Sequence, residues 1–250
     1  MLGLPAAVTA CLFDLDGVLT PTAEVHDAAW REMFDAFLRE WSAGTGEPFQ
    51  PFDPGADYEK YVDGRARADG VRSFLASRGI SLPEGTPDDP PAARTIHGLA
   101  NRKNEVLVRT IHEHGVTAYP GSVAYLRAAQ GVGLRRAVVS ASANCAEVVA
   151  AAGLAELLEV RVDGQLAERE GLRGKPAPDP FLAAARMLGV APEHAAVFED
   201  ALAGVAAGVA GGFGYVVGVD RVGGGHADAL RAGGAHVVVA DLSELLEVAG

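Results

Sequence analysis

The sequence contains 250 residues, carries a formal net charge of −12 at pH 7 and has two cysteines. Its length suits one large α/β domain, with or without an insertion, and provides enough chain for a hydrophobic core. The negative charge disfavours binding to nucleic acid or to an anionic membrane surface, because no cluster of Lys and Arg offsets it. Two cysteines, Cys11 and Cys145, exclude a disulfide scaffold. The N-terminus lacks the basic segment of a secretory signal, so we expect a cytoplasmic protein.

The first predicted element is a buried strand at residues 8–13, and two acidic residues follow it. Asp14 and Asp16 lie two positions apart, so an extended chain points both carboxylates to one side. Open α/β sheets bind ligands at the carboxyl ends of such strands. A carboxylate there can attack phosphorus to form an aspartyl phosphate when a divalent cation reduces the charge repulsion, and the second can act as general acid and base. The alternative is an acidic turn that merely ends the strand.

Residues 21–114 show helical periodicity without a convincing strand pattern. The predicted helices are 22–41, 71–78 and 99–112, and the stretches rich in Pro, Gly and Asp that read as loops are 42–57 and 81–93. An all-helical block inserted after the first strand of a parallel sheet is typical of a cap. We therefore predict a helical cap domain at 21–114 and an α/β core domain formed by 1–20 and 115–250.

The rest of the sequence alternates strand and helix patterns. The predicted strands are 137–139, 195–198, 215–219 and 236–239, and the predicted helices are 144–152 and 181–188. Gly153 and Gly189 are expected to close these helices, and Asp179 to cap the second, with Pro180 in its first turn. Residues 201–219 carry no charge, but their glycines favour a short helix, a turn and a strand over a membrane span. This alternation predicts a mostly parallel sheet with helices on both faces.

Three further polar groups follow strands or open helices. Ser140 comes after the strand 137–139, where its hydroxyl and the free N–H groups of the next helix could bind phosphate; simple helix capping is the alternative. Lys175 lies in a proline-stiffened loop and could pair with phosphate and with the nucleophilic carboxylate, unless it is a solvated surface lysine. Glu199 and Asp200 end the strand 195–198 and offer hard oxygen ligands for Mg²⁺.

The order Asp14, Ser140, Lys175, Glu199-Asp200 resembles the four motifs of the haloacid dehalogenase (HAD) superfamily of phosphotransferases. This resemblance implies a Rossmann-like three-layer core with a mobile cap, and Mg²⁺-dependent phosphoryl transfer through an aspartyl phosphate. True dehalogenases lack the second acid of the first motif. Asp16 therefore favours phosphoryl transfer over carbon–halogen cleavage.

A closer similarity is to the β-phosphoglucomutase-like subfamily, which interconverts β-glucose 1-phosphate and glucose 6-phosphate. The matching segments are 14–30, Asn101-Arg-Lys-Asn104, Tyr119-Pro-Gly121, Ser140-Ala-Ser142-Ala-Asn144, Lys175-Pro-Ala-Pro-Asp179 and Phe198-Glu-Asp200. They span both predicted domains. We accordingly expect a monomer that binds a small phosphorylated sugar.

The resemblance assigns a role to each matching residue. Asp14 would be the nucleophile and Asp16 the general acid and base. Mg²⁺ would be bound by the carboxylates of Asp14, Glu199 and Asp200 and by the main-chain carbonyl of Asp16. The transferring phosphoryl group would be bound by Ser140 and Lys175, and the second phosphate by Arg67, Ser142 and Asn144. Cap closure would be coupled to Asp16 by Thr22, His26 and Lys103. Alternatively, His26 is a histidine packed near Trp30, and Arg65, Arg67 and Lys103 are solvated charges.

Two positions depart from the subfamily pattern, because Ala143 and Asp63 stand where those mutases carry lysine. Each missing charge-assisted contact would weaken binding of a bisphosphate by about tenfold or more, unless Arg65 compensates. Two enzymatic interpretations therefore remain open: a mutase that transfers the phosphoryl group to a sugar phosphate, and a phosphatase that transfers it to water. A third is a non-catalytic binding module on the same fold.

Overall fold

The predicted parallel sheet forms the centre of the first of two structural units. The computed structural model describes residues 2–247. Unit 1 comprises the chain up to Thr22 and from Val116 onward, and unit 2 is Ala23–Gly115. Within the described residues, the sheet of unit 1 has six strands: β1 Ala10–Phe13, β2 Arg135–Val139, β3 Val160–Val162, β4 Ala195–Glu199, β5 Tyr215–Val219 and β6 Val237–Val239.

The two units together contain ten α-helices within residues 2–247. They are α1 Thr22–Thr45, α2 Arg67–Ser77, α3 Ile96–His114, α4 Pro120–Gly131, α5 Cys145–Ala151, α6 Gly164–Glu170, α7 Asp179–Leu188, α8 Leu202–Ala210, α9 His226–Ala232 and α10 Glu244–Glu247. A π-helix at Tyr58–Val62 and short 3₁₀ turns at Ala155–Leu157 and Pro192–His194 complete the regular structure. Among these described helices, none combines the length and the apolar character that crossing a membrane requires.

The strand order is β3-β2-β1-β4-β5-β6, and every neighbouring pair is parallel. This confirms the predicted α/β class. The chain moves outward from β1 through β2 and β3, then returns to the other side of β1 with β4. The direction of winding thus reverses at β1, and in open α/β sheets the crevice at such a reversal binds the ligand, at the carboxyl ends of the strands.

Both faces of the central strand are covered by helices. All four residues of β1 are fully buried. Leu12 packs in a cluster with Phe181 of α7. Phe13, which points to the opposite face, stacks on Phe198 at 4.5 Å between ring centroids and meets the edge of Tyr125 of α4 at 6.1 Å. Helices α7 and α4 therefore lie on opposite faces of the sheet.

Strand β3 was not predicted. Its three residues are Val160, Arg161 and Val162, and of these only Val162 is fully buried. The strand lies at the edge of the sheet and carries a charge at its middle position, so it lacks the apolar run that marks the central strands.

Helix α7 begins one position earlier than the capping prediction required. Its N-cap is Pro178, and Asp179 is already in the first turn. The Asp179 carboxylate instead accepts hydrogen bonds from the backbone N–H and the guanidinium of Arg173. The prediction of Asp179 as N-cap is wrong, whereas Gly189 ends the helix in a left-handed conformation as expected.

Residues 201–219 form α8, a turn and β5, as predicted.

Unit 2 is built from α1, α2, α3 and the π-helix, and it contains no strand among its residues 23–115, all of which are described. Phe34 lies at its centre, with ring centroids 4.1 Å from Phe74 and 5.3 Å from Phe52. Helix α1 extends four residues beyond the predicted end at Trp41. There the Thr45 hydroxyl donates to the Trp41 carbonyl, an interaction that apolar periodicity does not reveal.

Candidate active site

Three acidic side chains meet where β1 and β4 end. The N–H of Asp14 donates to the carbonyl of Phe198 at 2.9 Å, which keeps Asp14 beside the end of β4. Glu199 is the last residue of β4 and is fully buried, and Asp200 follows it. Asp14, Glu199 and Asp200 each provide an oxygen, and these oxygens all lie within 4.8 Å of one another. The sheet thus brings together residues that are more than half the chain apart in sequence.

Lys175 is buried within this acidic group. Its Nζ lies 2.5 Å from Asp14 Oδ1, also contacts Glu199 Oε1, and donates to the Val139 carbonyl at 3.3 Å. The side chain is 2% exposed, so the alternative of a solvated loop lysine is wrong. Burial alone would lower the pKa of Lys175, but the carboxylates of Asp14 and Glu199 outweigh it and raise the pKa above its usual value. Lys175 is therefore a fixed positive charge next to Asp14.

The negative charge at this site exceeds what one lysine neutralises. Burial raises the pKa of Asp14 well above its usual value in spite of the Lys175 ammonium, and the carboxylates of Glu199 and Asp16 raise it further. A divalent cation would relieve this repulsion. The three clustered donors are all carboxylate oxygens, the ligands preferred by hard cations such as Mg²⁺, so the residues present fit such an ion.

Asp16 is held by hydroxyl groups. The Thr22 hydroxyl donates to Asp16 Oδ1, and the Ser140 hydroxyl lies 3.4 Å from Asp16 Oδ2. Thr20 Oγ1 lies 2.7 Å from Thr22 Oγ1 and donates to the Leu15 carbonyl at 3.2 Å. Thr20 and Thr22 are both buried, and Thr20 escaped the sequence reasoning although it lies in the same loop. The sequence does contain a pattern that could have indicated Thr20: two threonines, Thr20 and Thr22, lie two positions apart just after Asp14 and Asp16.

Gly17 allows Asp200 to approach the first acidic loop. Its φ is +85°, and a Cβ at this position would lie 1.7 Å from Asp200 Oδ2. Any other residue would therefore displace the Asp200 carboxylate as well as strain the backbone. This reason for a glycine at position 17 is evident only from the structure.

The Ser140–Asn144 loop is ordered by its own hydroxyls. The N–H of Ser142 donates to Ser140 Oγ at 3.0 Å, and the N–H of Asn144 donates to Ser142 Oγ at 3.2 Å. We expected free N–H groups at the start of the next helix, and this is wrong for Asn144, because its N–H donates to the Ser142 hydroxyl. The alternative interpretation, helix capping, is not supported, since the N-cap of α5, Asn144, makes no side-chain capping hydrogen bond.

Residues His26 and Lys103 meet within unit 2. Lys103 Nζ lies 3.0 Å from His26 Nδ1 and 5.0 Å from the centroid of the Trp30 ring. Lys103 is fully buried, which excludes the solvated-lysine alternative. Because an ammonium can only donate, Nδ1 of His26 accepts and the proton of the neutral imidazole lies on Nε2.

The predicted phosphate ligand Arg67 is the first residue of α2 and is partly buried. Asp63 follows the π-helix as its C-cap. Arg65, the candidate substitute for the missing lysines, places Nη2 3.4 Å from the Lys60 carbonyl. The functional roles of these unit 2 residues stay predictions.

The comparisons with known proteins agree with the resemblance stated from the motifs. The model of the haloacid dehalogenase-like hydrolase family matches residues 8–212, and the chain belongs to this family. It is thus an enzyme of the HAD phosphotransferase and hydrolase superfamily.

Among its relatives are the β-phosphoglucomutases of Mycobacterium bovis and Mycobacterium tuberculosis. Each is 57% identical over 247 residues, which cover 98% of this chain and 94% of the relative. The crystal structure of β-phosphoglucomutase from Clostridium difficile has a TM-score of 0.73 at 26% identity, over 95% of this chain and 93% of that one. A HAD family hydrolase from Deinococcus radiodurans, with bound phosphate and sodium, has a TM-score of 0.61 at 30% identity, over 96% and 94%.

Proposed function

We propose that this enzyme interconverts β-glucose 1-phosphate and glucose 6-phosphate by Mg²⁺-dependent phosphoryl transfer through an aspartyl phosphate on Asp14. The observation that carries the chemistry is the buried contact of Asp14 with Lys175, beside Glu199 and Asp200. The similarity to mycobacterial β-phosphoglucomutases over nearly the full length supports the choice of sugar phosphate. From the two cysteines we further propose that it acts in the cytoplasm, and from the subfamily resemblance that it is a monomer.

In the half-reaction that phosphorylates the enzyme, a carboxylate oxygen of Asp14 attacks one phosphorus of glucose 1,6-bisphosphate. The bond from that phosphorus to the sugar oxygen breaks, and a glucose monophosphate leaves. Lys175 binds Asp14 Oδ1, so it orients the nucleophile and offers positive charge to the phosphoryl oxygens. Mg²⁺ bound by Asp14, Glu199 and Asp200 would supply the remaining charge neutralisation. We assign to Ser140 a hydrogen bond to the same phosphoryl group, for which its one hydroxyl proton turns away from Asp16 Oδ2.

Asp16 moves the proton. In its protonated form it donates to the leaving oxygen, and as a carboxylate it accepts the proton of the acceptor hydroxyl that attacks phospho-Asp14. The hydroxyls of Thr22 and Ser140 hold its two oxygens, which fixes the direction of the carboxylate before substrate binds. This preorganisation is what a proton-transfer group needs.

The second phosphate of the substrate needs its own ligands, and we assign these to Arg67, Ser142 and Asn144. His26 and Lys103 are proposed to link closure of the helical unit to the position of Asp16. The contact between His26 and Lys103 supports a shared function for this pair, since a fully buried lysine requires polar partners.

Phosphatase activity is the second candidate. It is favoured by Ala143 and Asp63, which replace lysines of the subfamily pattern and reduce the positive charge offered to a second phosphate. If that site is too weak to retain a sugar bisphosphate, water accepts the phosphoryl group instead.

One assay separates the two. Purified protein receives Mg²⁺, β-glucose 1-phosphate and a trace of glucose 1,6-bisphosphate, and glucose 6-phosphate and inorganic phosphate are measured separately. The proposal predicts glucose 6-phosphate as the fast product, and Asp14→Asn should abolish its formation. Inorganic phosphate as the sole fast product would refute the mutase and support the phosphatase.

A further inference from the structure

The segment from the end of β5 to the first residue of α9, residues 220–226, lies at the same edge of the sheet as the acidic cluster. We call it the brace loop. It follows β5, which pairs with β4, so its position is set by the strand next to the one that carries Glu199. Two of its side chains, Arg221 and His226, form hydrogen bonds with the two acidic loops.

Arg221 contacts the loop that carries Asp14 and Asp16. Its Nε donates to the carbonyl of Gly17 at 3.1 Å, while Nη1 donates to the Ala240 carbonyl at 2.7 Å and to Asp241 Oδ2 at 2.8 Å. The guanidinium carbon lies 3.8 Å from the ring centroid of Tyr119. The planar guanidinium is bound at its edge by hydrogen bonds and on its face by the Tyr119 ring, so it cannot rotate without losing several contacts. Gly17 is thereby fixed to the end of β6.

His226 contacts the loop that carries Asp200. Its Nε2 lies 2.7 Å from the Asp200 carbonyl, and because a carbonyl can only accept, Nε2 carries the proton. Just before it, the three glycines Gly223, Gly224 and Gly225 have φ values of 70°, 63° and 96°. This left-handed run turns the chain back so that His226 can begin α9 within reach of Asp200.

The residues that Arg221 and His226 bind, Gly17 and Asp200, are themselves in close contact. Gly17, bound through its carbonyl by Arg221, is the residue whose Cβ position falls 1.7 Å from Asp200 Oδ2. Asp200 is bound through its own carbonyl by His226. The carboxylates gathered here repel one another, so the backbone of both loops must be restrained to keep their oxygens at metal-binding distance.

We propose that Arg221 and His226 are positioning residues of the cation site: from the brace loop they hold the Asp14–Gly17 loop and the Glu199–Asp200 loop in the arrangement that binds Mg²⁺. The inference rests on the proposed function for the identity of the cation. Neither side chain touches the reacting atoms, and both act through backbone carbonyls.

Isothermal titration of the protein with MgCl₂ tests this without substrate. Arg221→Lys keeps the charge but loses the guanidinium fork, and His226→Ala removes the donor to Asp200; each should weaken Mg²⁺ binding about tenfold, the size typical of outer-shell partners. His226→Gln retains an amide N–H at the place of Nε2 and should restore most of the affinity. At saturating Mg²⁺, KM for β-glucose 1-phosphate should stay within about twofold of wild type.

Matched controls separate positioning from general damage. Arg231→Lys changes an exposed arginine of α9 that pairs with Asp228. His194→Ala removes an exposed histidine near the Ala7 carbonyl. Both controls should bind Mg²⁺ like wild type, and thermal unfolding without Mg²⁺ shows which variants are folded.

Unchanged Mg²⁺ affinity in folded Arg221→Lys and His226→Ala would overturn the inference, as would equal losses in His226→Ala and His226→Gln. If the Arg221 variant fails to fold, the His226 pair decides. A wild-type protein that binds Mg²⁺ but does not convert β-glucose 1-phosphate would refute the proposed function alone, since the titration involves no sugar.

Discussion

Two lysines are buried in the part of the chain that the structure describes, residues 2–247, and they lie in structurally different surroundings. Lys175, in unit 1, contacts two carboxylates at the carboxyl ends of parallel strands. Lys103, in unit 2, contacts an imidazole and a tryptophan ring, and its contact with His26 joins helices α1 and α3 across 77 positions of sequence. Strand ends bring polar residues together by sheet geometry alone, whereas the helical pair depends on how two helices pack.

The largest effect is expected at Lys175. Lys175→Met removes the ammonium and leaves the carboxylates of Asp14 and Glu199 buried against each other, which should lower the free energy of unfolding by about 3–5 kcal/mol. Urea unfolding without Mg²⁺ measures it. Lys60→Met, on the π-helix, is the control and should stay within about 0.5 kcal/mol of wild type. Equal stability of wild type and Lys175→Met would mean that the strand-end ion pair contributes nothing.

Gly17→Ala should come next, since its Cβ would overlap the Asp200 carboxylate. We expect Mg²⁺ affinity, measured by calorimetry, to fall by about tenfold to a hundredfold. Gly133→Ala is the matched control: Gly133 also has a positive φ, +78°, but a Cβ there would meet nothing within 4 Å. Gly133→Ala introduces the same backbone strain but no overlap with a carboxylate, so this variant should be less stable than wild type and bind Mg²⁺ equally well. Equal affinities in both variants would contradict the close approach.

Thr22→Val tests the hydroxyl that holds Asp16. Hydrogen bonds to charged groups contribute about 1.5–3 kcal/mol, so kcat should fall about tenfold or more while the protein remains folded. Thr22→Ser keeps the donor and should recover most of the rate. If Thr22→Val and Thr22→Ser have the same kcat, the hydroxyl does not support proton transfer.

The smallest effect is expected in unit 2, at Asp27 of α1. Burial, aided by Asp53 and opposed by Arg31, raises the pKa of Asp27 to about 6. A raised carboxyl pKa favours the folded state below the unfolded pKa, and this stability is lost as the pH rises through about 6. Asp27→Asn should therefore gain stability relative to wild type as the pH increases from 4 to 7, followed by thermal unfolding. A constant difference over that range would show that Asp27 titrates normally.

Much of the strand-end site could be predicted from sequence. Asp14, Lys175 and Glu199 follow strands or lie in loops whose positions the α/β alternation determines, so their meeting follows from a parallel sheet. The bonds between the serine hydroxyls and the N–H groups of Ser142 and Asn144 were missed, because a polar loop can bond to itself or to a ligand with the same residues.

Other features lay beyond sequence reasoning for physical reasons. Arg221 and His226 bind backbone carbonyls, which every residue possesses, so no side-chain pattern marks their partners. Strand β3 is short, lies at an edge and carries Arg161, so it lacks an apolar run. The pairing of His26 with Lys103 requires the packing of α1 against α3, which helical periodicity alone does not specify.

The most direct test of the central claim is the fate of the phosphoryl group on Asp14. The enzyme is labelled with ³²P from glucose 1,6-bisphosphate in the presence of Mg²⁺, mixed with β-glucose 1-phosphate and quenched at short times. We predict that the label appears in sugar bisphosphate faster than in inorganic phosphate, and that Asp14→Asn takes up no label. Release of the label as inorganic phosphate at a rate that β-glucose 1-phosphate does not change would contradict the account.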